Sequence, residues 1–414
     1  MFNWKHSFYN INLKEEGYKN AKENEYYNTL LGKFAVIPKN VDLDNPPEEL
    51  KGFLVPSEIN QAEILTKQQH DAIYNDYPSA INLTVCPTSA CNYKCEYCFE
   101  KNKSQHSMDA ELIADTINYI KTEIDRNQNL KTFGIKWFGG EPLLNIPAIE
   151  QISRFVIDYC QEHNISYTAF IITNGYYYTK GVSEQLKTLK IKTVQISLDG
   201  FADDYARTRQ VSKDAYERVL NNIENSVIPV VIRINTTRQN KDIVPTLVRE
   251  IAKMPSVKSG FNKIMVARVK DYCTTLNYGF TDAEWIDFRK CYAELQDVIP
   301  PISKVTSAKY IPCGNIQKRH AVIGADGFLY RCDNHIGDIK YAIGTVKEGV
   351  VENSVDKKYV CSTITEECKK CKMLPICAGG SCRYEELLQG KPCYLVRERF
   401  KQNMTHYLTY VREP

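Results

Sequence analysis

The chain has 414 residues, 43% hydrophobic and 25% charged, with a formal net charge of +3. That length supplies two or three domains with buried cores, and the composition excludes a disordered, fibrous or miniature stapled protein. Near-neutral charge with no long block of one sign gives no support for a phosphate-backbone partner, so no nucleic acid is expected. No apolar run reaches the roughly eighteen residues of a membrane span, and Met1 to Asn10 lacks the parts of a secretion signal. The expectation is a cytoplasmic protein with no membrane partner. Fifteen cysteines are the outlying number, and a reducing compartment turns them toward metal or redox chemistry rather than disulfides.

Residues 1–78, rich in tyrosine and lysine, read as a small N-terminal α+β module. Glu25 to Ile37 has two β-prone runs around Leu31-Gly32-Lys33, which predicts a hairpin, and the pattern turns helical after Asn45-Pro46-Pro47. Strands followed by short helices fit a winged-helix module, and an extension packed on the main domain fits equally. Residues 79–300 alternate. Short β-branched runs occur at Ile81 to Val85, Phe133 to Phe138, Tyr167 to Ile172, Thr193 to Leu198, Pro229 to Ile234 and Phe261 to Val266. Helical spacing lies between most of them, as in Leu112, Ile113, Ile117, Ile120 and Ile124 after a cap at Ser107. Repeated strand-helix units predict an α/β fold with a parallel sheet, either an open sheet or an incomplete barrel. Both gather reactive groups at the C-terminal ends of the strands. Residues 301–414 hold eight of the cysteines among glycines and polar loop residues, a texture for which metal binding would supply part of the folding free energy.

The first predicted strand runs into Cys86-Pro-Thr-Ser-Ala-Cys91-Asn-Tyr-Lys-Cys95-Glu-Tyr-Cys98. Thiolates at Cys91, Cys95 and Cys98, with gaps of three and two residues, can converge in one tight loop as ligands of an iron-sulfur cluster. A four-iron cluster held by three cysteines keeps one iron open, which suggests chemistry rather than electron storage. The alternative is zinc, which takes four closed ligands, usually from two separated pairs. Gly139-Gly140-Glu141-Pro142 follows the second strand, Thr173-Asn174-Gly175 the third, and Gln195-Ile-Ser197-Leu-Asp199-Gly200 the fourth.

With these motifs in this order, the chain resembles the radical S-adenosylmethionine (radical SAM) superfamily. The resemblance implies a partial (β/α)6 TIM-like barrel in which Cys91, Cys95 and Cys98 hold a 4Fe-4S cluster, with SAM chelating the open iron. One electron then cleaves SAM to methionine and a 5'-deoxyadenosyl radical. The resemblance also implies that the Gly139, Gly140 and Glu141 backbone receives the methionine amino group. Main chain near Tyr97 would meet adenine, Asn174 would belong to the same pocket, and Ser197 and Asp199 would lie near ribose or carboxylate. Arg218 is the candidate partner of the SAM carboxylate, since a guanidinium pairs well with that group. The competing readings are helix caps for Ser197 and Asp199 and an exposed helix residue for Arg218.

Cys313, Gly327, Cys332, Cys368, Cys371, Cys377, Cys382 and Cys393 resemble the SPASM extension of the same superfamily, which houses two auxiliary clusters. GFLYRC supplies the Gly-x4-Cys step and CKKCKMLPIC the Cys-x2-Cys-x5-Cys step. The step from Cys377 to Cys382 has four intervening residues where the family usually has three. The resemblance implies that Cys368, Cys371, Cys377 and Cys393 ligate the distal cluster, and Cys313, Cys332 and Cys382 the nearer one. For the last ligand of the nearer cluster, either Cys361 folds back or the site stays open to a substrate thiolate. Cys160 and Cys291 fall on apolar helix faces and read as core residues; Cys86 and Cys273 receive no role.

SPASM proteins mostly act on peptides or proteins. The reading is therefore a maturase that installs a thioether or carbon-carbon cross-link in a ribosomally made precursor peptide. Its leader would be recognised by the N-terminal module, and a flavodoxin- or ferredoxin-type donor would supply electrons. An anaerobic sulfatase maturase is the alternative enzyme, because Asp333, after Cys332, matches the place of that family's proposed catalytic aspartate. A non-catalytic iron-sulfur or zinc protein is the alternative outside enzymes.

Overall fold

A computed structural model describes residues 3–100, 105–270, 277–290, 295, 298 and 305–412; Cys273 and Cys291 lie outside them. The chain packs into two compact units. One comprises Asp76–Cys291 and Lys318–Tyr359, the other Met1–Asn75, Tyr292–Gln317 and Val360–Pro414.

The first unit is built on an eight-stranded sheet. Its strands are β1 (Ala80–Val85), β2 (Thr132–Trp137), β3 (Ser166–Thr173), β4 (Ile191–Ser197), β5 (Val230–Thr236), β6 (Lys263–Arg268), β7 (Val322–Ile323) and β8 (Leu329–Tyr330). They lie in the order β6-β5-β4-β3-β2-β1-β7-β8. From β1 to β6 each strand pairs in parallel with its predecessor. β7 then joins β1 in parallel, and β8 turns back against it. This order decides between the two predicted architectures. A doubly wound sheet reverses its strand order and carries helices on both faces. Here the order never reverses across β1 to β6, so right-handed crossovers put every connecting helix on one side and the sheet curls into a partial (β/α)6 barrel.

Side-chain alternation follows from that curl. Ile81, Leu83 and Val85 of β1, Phe133, Ile135 and Trp137 of β2, and Val230, Ile232 and Ile234 of β5 are buried on the outer face. The alternate positions, including Asn82 and Thr84, Gly134 and Lys136, Gln195 and Ser197, and Arg233 and Asn235, line the inner face. The helices used below are α1 (Ala110–Asp125), α2 (Ile146–Glu162), α3 (Lys180–Thr188), α4 (Ala202–Arg209), α5 (Asp214–Glu224) and α6 (Val244–Ile251). The cap of α1 differs from the sequence expectation. Asp109, not Ser107, accepts from the Leu112 amide at 2.9 Å, since a carboxylate both caps the turn and complements the helix dipole. Ser107 instead accepts from Asn145 Nδ2 at 3.2 Å. Cys160 is a core residue of α2, 1% exposed.

In the second unit the expected hairpin is present. Strands Glu25–Asn28 and Lys33–Val36 pair antiparallel, and Asn10–Asn12 adds a third strand. Gly32 in the turn has φ of 64°, which favours glycine. A single longer helix, Gln61–Tyr74, follows. Ile11, Leu13 and Tyr27 of the sheet share a core with Phe400, Met404 and Leu408, so the N-terminal strands rest on the C-terminal helix. Arg412 reaches back to the buried Glu25 carboxylate at 2.5 Å. No helix among the described residues is long and apolar enough to cross a membrane.

Gln69 fastens helix Gln61–Tyr74 to this unit. Its Nε2 donates to the carbonyl of Ala378 at 2.7 Å and to Thr363 Oγ1 at 3.2 Å, while its Oε1 accepts from the Thr363 amide at 3.0 Å and Ser362 Oγ at 2.8 Å. Gln69→Leu leaves the Thr363 amide without its buried acceptor, while the Ala378 carbonyl keeps Thr363 Oγ1 at 3.0 Å, and should cost about 2–3 kcal/mol. The measurement is urea unfolding; an unchanged midpoint would show that the network contributes nothing net.

Candidate functional site

β1 ends at Val85, and the next residues form the cysteine loop at the C-terminal rim of the barrel. Main-chain atoms hold it. The Gly140 amide donates to Thr88 O at 3.1 Å and the Glu141 amide to Ala90 O at 2.8 Å. Gly139 and Gly140 are needed for that approach: a Cβ on Gly139, whose φ is +139°, would sit 2.5 Å from Cys86 Sγ, and one on Gly140 2.3 Å from Ala90 O. On the far side the end of α4 clamps the loop, its Thr208 and Arg209 carbonyls accepting from the Glu96 and Lys94 amides at 3.0 and 3.3 Å.

Glu141 is fully buried and committed to structure. Its carboxylate accepts from Thr173 Oγ1 at 2.6 Å, the Asn174 amide at 2.7 Å and the Leu143 amide at 3.1 Å. It thereby ties the end of β2 to the end of β3. Burial raises its pKa to about 6 although all three hydrogen bonds oppose the shift. Asn174 also sends Nδ2 to Asn92 Oδ1 at 2.8 Å, with Cys91 Sγ at 3.9 Å. The structure thus brings Gly139, Gly140, Glu141 and Asn174 against the cysteine loop.

Ser197 and Asp199 are not caps. Helix α4 begins after Phe201 without a side-chain cap, Ser197 stands on the inner face, and Asp199 is 2% exposed in a buried network. Its Oδ2 accepts from Tyr97 OH and from Arg209 Nε at 2.9 Å and Nη2 at 2.8 Å. Tyr97 OH in turn accepts from Arg209 Nη2 at 3.0 Å and Asn235 Nδ2 at 3.3 Å. Asp199 Oδ1 is buried with no hydrogen-bond partner, an acceptor left for a donor the chain does not supply. Arg218, on α5, donates Nε to Tyr176 O at 3.0 Å and lies 4.2 Å above the Tyr176 ring.

Burial pushes the Cys91 thiol up to about 11 and the Cys98 thiol up to about 12. It also raises Cys95, against which the Arg209 guanidinium works. Among the described residues, no three His, Cys, Asp or Glu side chains close on a single metal ion. A zinc site brings its sulfurs within roughly 3.8 Å of one another, as tetrahedral bonds of about 2.3 Å require. A multi-iron cluster gives each iron its own cysteine and needs a wider ring. Three thiols on one short loop, a glycine cradle and an unpaired acceptor fit a cluster with a polar ligand at its open corner.

The second unit holds another cysteine group. Cys368, Cys371, Cys377 and Cys393 line one cavity of about 360 Å³. Lys391 Nζ lies 3.6 Å from Cys368 Sγ and Arg397 Nη2 3.9 Å from Cys371 Sγ, cations that offset the charge of thiolates gathered there. The four-residue step before Cys382 is absorbed by Ala378 and Gly379, both with left-handed φ, 50° and 75°. Cys313 and Cys382 belong to this unit, where burial, with a smaller contribution from Cys313, pushes the Cys382 thiol up to about 11. Cys361 Sγ lies 3.0 Å from Arg383 Nη2. Cys332 belongs to the first unit.

Asp333, in the turn after β8, forms an ion pair with Lys136 from the inner face of β2. His320 Nδ1 meets Asn82 O at 3.0 Å, and burial lowers this ring to about 4. His335 is a structural residue, bonded to Tyr359 OH at 2.8 Å and stacked on Tyr341. Sequence reasoning missed Arg209, Arg233, Asn235 and Lys136. The last three carried a signal: polar residues at alternate positions of otherwise apolar strands face the inside of a barrel.

Residues 85–250 match the Radical SAM superfamily. The radical SAM cyclopropyl synthase TigE of Paramaledivibacter caminithermalis is 28% identical over 192 residues, 42% of this chain and 38% of that protein. The chain therefore spans well under half of TigE's length. A cysteine-type anaerobic sulfatase-maturating enzyme of Clostridium novyi is 25% identical over 342 residues, 74% of this chain and 89% of that enzyme. The crystal structure of Streptococcus suis SuiB bound to precursor peptide SuiA shares the fold, with a TM-score of 0.54 and 16% identity over 86% of this chain and 82% of that one. Strand order, cysteine loop and sequence match agree: residues 85–250 form a radical SAM domain.

Proposed function

We propose that this chain is a radical SAM peptide maturase, which takes a hydrogen atom from a ribosomally made precursor and leaves a thioether or carbon-carbon cross-link. The observation that carries the reading is the cysteine loop braced on Gly139 and Gly140 at the rim of a polar-lined partial barrel, with a four-cysteine cavity elsewhere in the chain. Cys91, Cys95 and Cys98 would hold one 4Fe-4S cluster, and Cys368, Cys371, Cys377 and Cys393 a second. With SAM bound beside it, the first cluster would supply the electron for reductive cleavage of SAM, which is the source of the hydrogen-abstracting radical. The rest is work for the chain's own side chains. Asn174 steadies the loop, the unpaired Asp199 Oδ1 is ready to accept from a ribose hydroxyl, and Ser197 and Arg218 would orient a carboxylate. On the inner face Lys136 holds the Asp333 carboxylate as a candidate proton acceptor.

A peptide substrate is supported by SuiB, whose structure contains a precursor peptide. The strand Lys33–Val36 at the edge of the N-terminal sheet suits a leader segment adding as a further strand. The sulfatase-maturase reading remains the second, favoured by the Clostridium novyi relative and by Asp333. The carrier or zinc reading loses ground because the relatives are named as enzymes.

Anaerobically reconstituted protein given dithionite and SAM should release 5'-deoxyadenosine, and Cys95→Ala should abolish it. Chromatography of the nucleoside decides, and none from iron-loaded wild type would sink the proposal. A co-expressed precursor should lose two hydrogens per cross-link by intact mass, whereas a sulfatase peptide gaining an aldehyde would transfer the assignment to the second reading. Gly140→Ala drives a Cβ into the Ala90 carbonyl and should cost roughly 1–3 kcal/mol. Its iron content should fall below that of Gly181→Ala, where a Cβ meets nothing within 4 Å.

A further inference from the structure

The network behind the cysteine loop holds more positive charge than its carboxylate balances. Asp199 is the one acid hydrogen-bonded within it, and Arg209, 3% exposed, takes that carboxylate with two nitrogens. A second guanidinium, Arg233, reaches the same network from β5. Its Nε donates to Asn235 Oδ1 at 2.8 Å, and Asn235 Nδ2 continues to Tyr97 OH. No carboxylate among the described residues forms an ion pair with Arg233, and burial disfavours its charged form, with Asp199 and Tyr97 pulling the other way. Tyr97 stands between Cys95 and Cys98 in the chain, so this surplus cation is wired to the cysteine loop through Asn235 and Tyr97. A half-buried cation costs free energy unless an opposite charge arrives.

We propose that Arg209 and Arg233 are counter-charges for the iron-sulfur cluster at Cys91, Cys95 and Cys98, raising its reduction potential. The inference rests on the reading above, that a cluster binds there. Three thiolates on a four-iron core make an anionic group, and one electron from an external donor adds a further negative charge with no bond made or broken. A guanidinium in a site of low dielectric favours the more negative form. The role is that of a positioning residue acting through charge, because neither guanidinium needs to touch the substrate.

The test is a redox titration of anaerobically reconstituted full-length protein, followed by the electron paramagnetic resonance signal that changes when SAM is added, which marks the cluster with an open iron. Arg233→Gln and Arg209→Gln should keep iron and sulfide content yet shift the midpoint to more negative values. At a fixed potential the ratio of reduced to oxidised cluster should fall roughly tenfold, the order expected for a nearby unit charge at an effective dielectric of about 20. Arg209→Lys should stay near wild type. Midpoints unchanged in loaded Gln variants would overturn the inference while leaving the function intact. If Arg209→Gln does not load, Arg233→Gln, which removes one side-chain hydrogen bond, decides alone. A wild-type protein without a SAM-responsive signal would remove the proposed function and this inference with it.

Discussion

A loop that must present three sulfurs to one object cannot rely on its own short sequence for shape, and here it borrows shape from three neighbours. The Gly139-Gly140 main chain supports one flank, the carbonyl end of α4 clamps the other, and the Asp199, Tyr97 and Arg209 triad closes the back. The first support follows the C-terminal end of β2, and the other two come from the stretch that follows β4, with Tyr97 supplied by the loop itself. That convergence exists because the strands run side by side in chain order, so the whole arrangement depends on the sheet's register.

The same geometry explains the division of labour among acidic groups. Glu141, saturated with three donors, acts as a splice between β2 and β3. Asp199, with one oxygen saturated and the other bare, is half structural and half available. Asp333 is tethered to a single lysine on the inner face. Three carboxylates in one domain thus span a range from closed to open, and the openness of each follows from how many donors its strand neighbours supply.

Much of this was legible in the sequence because the cysteine loop and glycine cradle are local. Spacing reveals Cys91, Cys95 and Cys98, and the resemblance to the SPASM extension groups Cys368, Cys371, Cys377 and Cys393, which the structure brings around one cavity. The strand-helix alternation was equally visible, but barrel against open sheet was not, since strand order is a long-range property. Arg209 stayed hidden because its partner Asp199 is separated from it by the full length of α4. The cap of α1 was misplaced by two residues because Ser107 and Asp109 both suit the position and only packing against Asn145 assigns Ser107 elsewhere.

The pairing of β1 with β7 carries a consequence for how the molecule is made. Thr84 and Cys86 donate their amides to Ala321 and Ile323, which follow them by most of the domain's length. While a ribosome is still translating the intervening residues, β1 has one unsatisfied border, and the segment leading into the cysteine loop lacks its final brace. Nascent chains in that interval expose a hydrogen-bonding edge to one another, so early release or slow elongation there favours aggregation over maturation.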